Sequence, residues 1–203
     1  TGEQQCAFMQ HTYPVSTVRF SPDGARLAST SYQRPRGGEV RIWDAASGDQ
    51  QQVLQDGYAP ITCVHWNPEG DHLVAASWDQ HLRVFDLTAP DQPIVVRLAA
   101  EDVYCAAQAS ALSPDGALVA VGGKDDVVPV FGARTGARVC ELVGHDKWVE
   151  GLAFSPDGEL LASGSADASI ALWRVATGER VATLRGHLNL VRGLAFVGPE
   201  TLC

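Results

Sequence analysis

His145, Ser163 and Asp167 have the composition of a hydrolase triad: an imidazole to take a proton, a hydroxyl to attack, a carboxylate to orient the ring. The surroundings do not suit that chemistry. No Gly-x-Ser-x-Gly stretch encloses Ser163, so no strained turn lifts its hydroxyl toward a substrate. Three further histidines, His65, His72 and His81, are close in sequence. Their spacings of 7 (72−65) and 9 (81−72) fit no metal-binding pattern, and no Cys-x-x-Cys pair accompanies them. Gly122-Gly123-Lys124 resembles the end of a phosphate loop, but it lacks the earlier glycine and the Ser or Thr after the lysine. We therefore expect no metal, no cofactor and no enzyme. The triad-like residues need a plainer explanation from the elements that hold them.

Those elements recur. Gly144-His145 is followed by Val149–Pro156-Asp157-Gly158, then Leu160–Asp167, Ile170–Trp173 and Ala176–Glu179, and shorter echoes of this sentence run through the chain. Pro22, Pro68, Pro114 and Pro156 mark the beat, at steps of 46 (68−22), 46 (114−68) and 42 (156−114) residues. In the best copy Val149–Ser155, Leu160–Gly164, Ile170–Arg174 and Arg180–Leu184 are short, apolar and rich in strand formers. Pro-Asp-Gly supplies the first turn, because proline presets φ and glycine accepts a positive one. Asp167 falls in a tight turn between the second and third runs. Four strands per unit, repeated, predict the blades of a β-propeller.

These motifs resemble the WD-repeat family: Gly-His, eleven residues from Pro156 to Asp167, and six more to Trp173. The resemblance covers nearly the whole chain. It implies an all-β propeller of four-stranded antiparallel WD-type blades, usually seven to a ring, that serves as a platform for other proteins. It also implies that His145, Ser163, Asp167 and Trp173 form a buried structural tetrad linking strand to turn, with no catalytic part. By alignment the chain is one array, with units of about 11–56, 57–102, 103–144 and 145–186 and partial blades at 1–10 and 187–203. Thr1-Gly2-Glu3 matches Thr177-Gly178-Glu179, and His11 follows Thr1 at the distance that separates His187 from Thr177. We therefore expect a fragment of a seven-bladed ring: about four blades plus parts of two more.

The other units are expected to be less complete. The first has His11, Ser29 and Trp43, but Gln33–Glu39 lengthens the turn and no Asp aligns. The second keeps Asp79 beside Ala75 and Phe85, and the third keeps Asp125 beside Val121 and Phe131. Phenylalanine has no N–H to donate, so those two units should rely on packing alone. Leu152, Phe154, Leu161 and Leu172 are expected in the core.

Composition narrows the partners. There are 24 acidic against 15 basic residues, for a net charge of −9. That argues against a nucleic-acid surface and against anionic membranes. Cys6, Cys63, Cys105, Cys140 and Cys203 are an odd set with no close pairs. Cys6 and Cys140 share a fourth-strand position and read as small apolar residues. Reduced thiols fit the cytoplasm, with the nucleus as the other setting.

Some large side chains stand where the fold does not need them. Trp148 lies in the loop before a first strand, and Glu150 follows on the same face. Leu190 and Arg192 hold the corresponding places after His187, and Trp78 and Lys124 precede the turn carboxylates Asp79 and Asp125. The resemblance places all six at the top of the propeller, where partners dock. Tryptophan and arginine are the residues most enriched in binding hot spots. Arg34, Pro35 and Arg36 in the first unit's long turn are a lesser candidate. The expected function is a non-catalytic interaction scaffold whose top rim meets a protein or peptide within a larger complex. The alternative is the regulatory or sensor arm of a larger signalling enzyme, a kinase or NTPase switch.

Overall fold

A computed structural model describes residues 7–8, 10–11, 13–33, 37–55, 59–89, 94–97, 109–198 and 201–203. Residues 1–6 and 9 of the partial unit at 1–10, Cys6 among them, lie outside these residues, as do Arg34–Arg36 and Cys105. The described backbone is all strand and turn. The first sheet is β1 (Val15–Phe20), β2 (Arg26–Gln33), β3 (Gly37–Asp44) and β4 (Gln50–Gln55). The second is β5 (Ile61–Trp66), β6 (His72–Ser77), β7 (His81–Asp86) and β8 (Ile94–Arg97). The third is β9 (Ala109–Leu112), β10 (Leu118–Gly122), β11 (Val127–Gly132) and β12 (Arg138–Val143). The fourth is β13 (Val149–Phe154), β14 (Leu160–Ser165), β15 (Ser169–Arg174) and β16 (Glu179–Arg185). A hairpin of β17 (Phe196–Gly198) and β18 (Thr201–Leu202) follows. Each four-stranded sheet is an antiparallel meander in chain order, the blade form that the repeat predicts.

The turn residues explain why the chain folds back where it does. Gly24, Gly70, Gly116 and Gly158, two residues after each marker proline, have φ between 69° and 75°, where a Cβ would be strained. The serine before the proline ties the same turn: Ser155 Oγ donates to Asp157 Oδ1 at 2.5 Å and accepts from Leu160 N at 2.9 Å. Ser21 and Ser113 repeat this, and in the second unit Asn67 Oδ1 accepts from His72 N at 2.8 Å.

Successive blades contact one another through their first strands: β1 meets β5, β5 meets β9 and β9 meets β13. Glycines permit the approach. A Cβ on Gly122 would lie 2.9 Å from Val149 Cγ1, and one on Gly164 would lie 2.8 Å from Val191 Cγ1. Gly122 therefore has a packing role. At the first joint the task falls to Gly38 of β3, where a Cβ would lie 2.8 Å from Ile61 Cγ1.

Trp43, Phe85, Phe131 and Trp173 fill one homologous third-strand position and are all buried. Of the four core residues expected in the last full blade, Leu161 is fully buried. Leu152, Phe154 and Leu172 are only partly so, because they pack at the margins of the clusters between blades. Cys63 and Cys140 are half-buried, and burial pushes the Cys140 thiol above its ordinary range.

Candidate interaction surface

In the fourth blade the four resemblance residues form one hydrogen-bonded line. Trp173 Nε1 donates to Ser163 Oγ at 2.7 Å, Ser163 Oγ is 2.7 Å from His145 Nε2, and His145 Nδ1 is 2.9 Å from Asp167 Oδ2. The line runs from Trp173 near the far end of β15, through Ser163 on β14, to Asp167 in the turn between them. Burial works to raise the Asp167 carboxyl, but hydrogen bonds from Ser169, His145 and the Asp146 N–H outweigh it and hold the group well below the usual carboxylate range. Ser163 and His145 are buried, so the hydroxyl has no path to a substrate.

The first blade differs from expectation. Its line is complete: Trp43 Nε1 donates to Ser29 Oγ at 2.7 Å, Ser29 Oγ is 2.6 Å from His11 Nε2, and His11 Nδ1 is 3.0 Å from Glu39 Oε1. The extra residues lengthen the hairpin rather than the turn, pairing Tyr32 with Gly38 and Gln33 with Gly37. That moves the carboxylate from a turn Asp onto β3, and the longer glutamate side chain spans the gap. Ser31 Oγ and Arg41 Nε also donate to Glu39 Oε1, at 2.9 and 2.8 Å.

The second blade does not rely on packing alone. Arg83, buried on β7, grips Asp79 with both ends of its guanidinium, at 3.0 and 2.6 Å. Arg83 pairs across the sheet with Ala75, as Arg41 pairs with Ser29, so the two arginines share one position. A fork of donors replaces the missing imidazole. The third blade has Pro129 on β11, where the ladder to β10 stops at the pair of Ala120 and Val130.

The six surface candidates lie along the edge of the sheets where first strands begin and second strands end. We call this edge the top. Trp148 is 47% exposed and Trp78 52%. Ala166 N donates to Trp148 O at 2.9 Å, and Trp78 N donates to Pro60 O at 3.0 Å. Trp148 and Pro60 therefore occupy one backbone slot, and Ala166 and Trp78 another. The candidates come together in pairs. Lys124 Nζ sits 5.8 Å from the centre of the Trp148 ring, within cation–π range. Arg192 Nε donates to Glu150 Oε2 at 2.7 Å, with Glu150 largely covered and Arg192 73% exposed. Leu190, at 36%, stands beside them in sequence. Trp78 belongs instead to a groove of about 380 Å³ between the first two blades, lined by Pro14, Ser16, Tyr32, Pro60, Thr62 and Trp78. Pro14, Ser16, Tyr32, Pro60 and Thr62 escaped the reading of the sequence. The signal was there: Pro14 and Pro60 align with Trp148, and Tyr32 aligns with Trp78.

The three clustered histidines have separate partners. His65 Nε2 is 3.0 Å from Ser110 Oγ, His72 Nδ1 is 2.6 Å from Asp71 Oδ1, and His81 Nδ1 is 2.8 Å from Asp79 O. Burial, helped by the charge of Arg19 and opposed by the Ser110 bond, pushes His65 down to about 4. Among the described residues no group of histidine, cysteine and carboxylate side chains could hold a metal ion, and no helix is long and apolar enough to cross a membrane.

The family model described as WD domain, G-beta repeat, matches residues 2–44, 48–86 and 136–174. These spans cover the first, second and fourth units and pass over most of the third. Nuclear distribution protein PAC1 of Arthroderma otae is 30% identical over 166 residues, which cover 70% of this chain and 36% of that protein. The Periodic tryptophan protein 2 homolog of Dictyostelium discoideum is 31% identical over 146 residues, covering 70% of this chain and 15% of that protein. WD repeat-containing protein 1 of Gallus gallus is 35% identical over 82 residues, covering 39% and 13%. The chain thus spans about a third of the length of PAC1 or less of the others. With its repeated blades, its hydrogen-bonded His-Ser-Trp lines and these matches, the chain belongs to the WD-repeat family.

Proposed function

We propose that this chain is a non-catalytic platform for protein–protein interaction that presents the top edge of its blades to a protein or peptide within a multiprotein complex in the cytoplasm. The 1–203 array, with units at 11–56, 57–102, 103–144 and 145–186, acts as one surface. The observation that carries the reading is an exchange between two backbone slots. The fourth blade places Trp148 in the lead-in slot and Ala166 in the turn slot, while the second places Pro60 and Trp78. Each slot folds without its tryptophan, yet both tryptophans are kept half out in solvent. Large aromatics bearing a cation or beside a groove are what an interface centre uses. The net charge of −9 favours a protein over nucleic acid or an anionic bilayer. Candidate contacts are Trp148, Glu150, Trp78, Lys124, Leu190 and Arg192.

The test is affinity capture with the protein and its Trp148→Ala/Trp78→Ala double variant, at matched melting temperature. Partners lost only from the variant are expected. Retention of every partner would sink the top edge as the binding surface.

A further inference from the structure

We propose that the groove between the first two blades is a binding site for a proline-rich segment in the polyproline II conformation. This inference rests on the platform reading above and names one partner chemistry for one part of that surface. The groove has about 380 Å³ and is lined by Pro14, Ser16, Tyr32, Pro60, Thr62 and Trp78, none of them charged. Four of the six present rings. Among the described lining residues a strongly acidic or basic peptide finds no counter-charge, although the chain as a whole carries a net charge of −9.

Hydrogen-bonding capacity narrows the ligand further. The Pro60 carbonyl is already doubly engaged, accepting from Trp78 N at 3.0 Å and from Ser77 Oγ at 2.9 Å. The Thr62 hydroxyl donates to Ala76 O at 3.2 Å. Pro14 and Pro60 have no N–H. Among the described groove residues, no hydrogen bond engages the Trp78 indole N–H or the Ser16 hydroxyl. Indole nitrogen can only donate. The matching ligand offers carbonyl acceptors, brings no backbone N–H that burial would leave unpaired, and lays flat apolar faces on rings. A proline-rich chain has those three properties, and its extended helix is largely formed before binding, so little ordering entropy opposes association.

The experiment titrates the 203-residue chain, labelled at its tryptophan indoles, with decaproline and follows the five indole N–H resonances. Trp43, Trp66 and Trp173 donate to Ser29, Arg19 O and Ser163 and serve as internal references. We expect a saturable shift of the Trp78 resonance, with Trp148 and the references unmoved. Trp78→Phe keeps a ring without the N–H and should weaken binding roughly threefold. Trp78→Ala should weaken it about tenfold or more. The absence of a saturable Trp78 shift, an equal response to a Gly-Ser decamer, or tighter binding of an acidic or basic peptide would overturn the proposal. Capture lost in the Trp148/Trp78 variant together with silence toward decaproline would leave the platform standing and remove only this ligand. Decaproline binding with capture unchanged would uphold the groove and count against the wider surface.

Discussion

His145 stands between Ser163 and Asp167, with the Trp173 indole behind the serine. Removing the imidazole takes a partner from each neighbour inside a buried network, where unmet polar groups are expensive. His145→Ala should lower unfolding free energy by about 2–3 kcal/mol. Urea denaturation with an unchanged slope is the check, and a midpoint that does not move would refute the structural importance of the line. His65 gives a separate handle. Its folded pKa, pushed down to about 4, lies below the value of 6.5 expected when unfolded. Between those values the unfolded chain binds a proton that the fold refuses. Stability therefore falls as pH drops from about 6.5 to about 4, by up to roughly 3 kcal/mol from this group. His11 is lowered too, chiefly by burial against the pull of Glu39, and acts in the same direction. Asp167 has a depressed carboxyl, so its contribution is present above the ordinary carboxylate range and is lost only at more acid pH. His65→Gln should flatten the stability profile between pH 6.5 and 4 and leave the steeper acid loss in place. Thermal melts across that range read the difference.

The third blade is the weakest of the four sheets by its own ladder. Between β10 and β11 three residue pairs hold, against five between β14 and β15, because Pro129 brings no N–H to the next rung. Phe131 leaves it without an indole donor, and Val121 offers no hydroxyl to receive one. Amides of β10 and β11 should exchange with solvent sooner than those of β14 and β15 under native conditions. Equal protection in the two blades would contradict this. Strand number, order and turns were readable in the sequence, because Pro-Asp-Gly and the alternating apolar runs act locally. The network in the first blade was not. Glu39 looked like part of a lengthened turn, and only the pairing of Tyr32 with Gly38 shows that it faces His11. Arg83 was hidden for a similar reason: a charged residue in mid-strand reveals its partner only once β6 and β7 are side by side.

At the scale of the molecule, six surface residues were chosen from sequence as one patch, and the fold divides them. Lys124 with Trp148 and Glu150 with Arg192 lie on the later blades, while Trp78 joins a groove on the earlier ones. Repeat alignment places side chains in slots, but it does not say which neighbouring slots leave a hollow between them. The joints between blades carry a last consequence. Gly122 and Gly164 are hollows that receive Val149 and Val191 from the unit that follows, and the receiving and entering sides are never the same. In the first blade that hollow is filled by the buried Thr30, and Gly38 on another strand takes over its task. The series therefore has a direction, and its first coupling is cut to a different key from the two that close on Gly122 and Gly164. A fourth blade moved into first place would bring its hollow to a neighbour shaped for another lock, so the order of the units is written in their seams as firmly as in the chain.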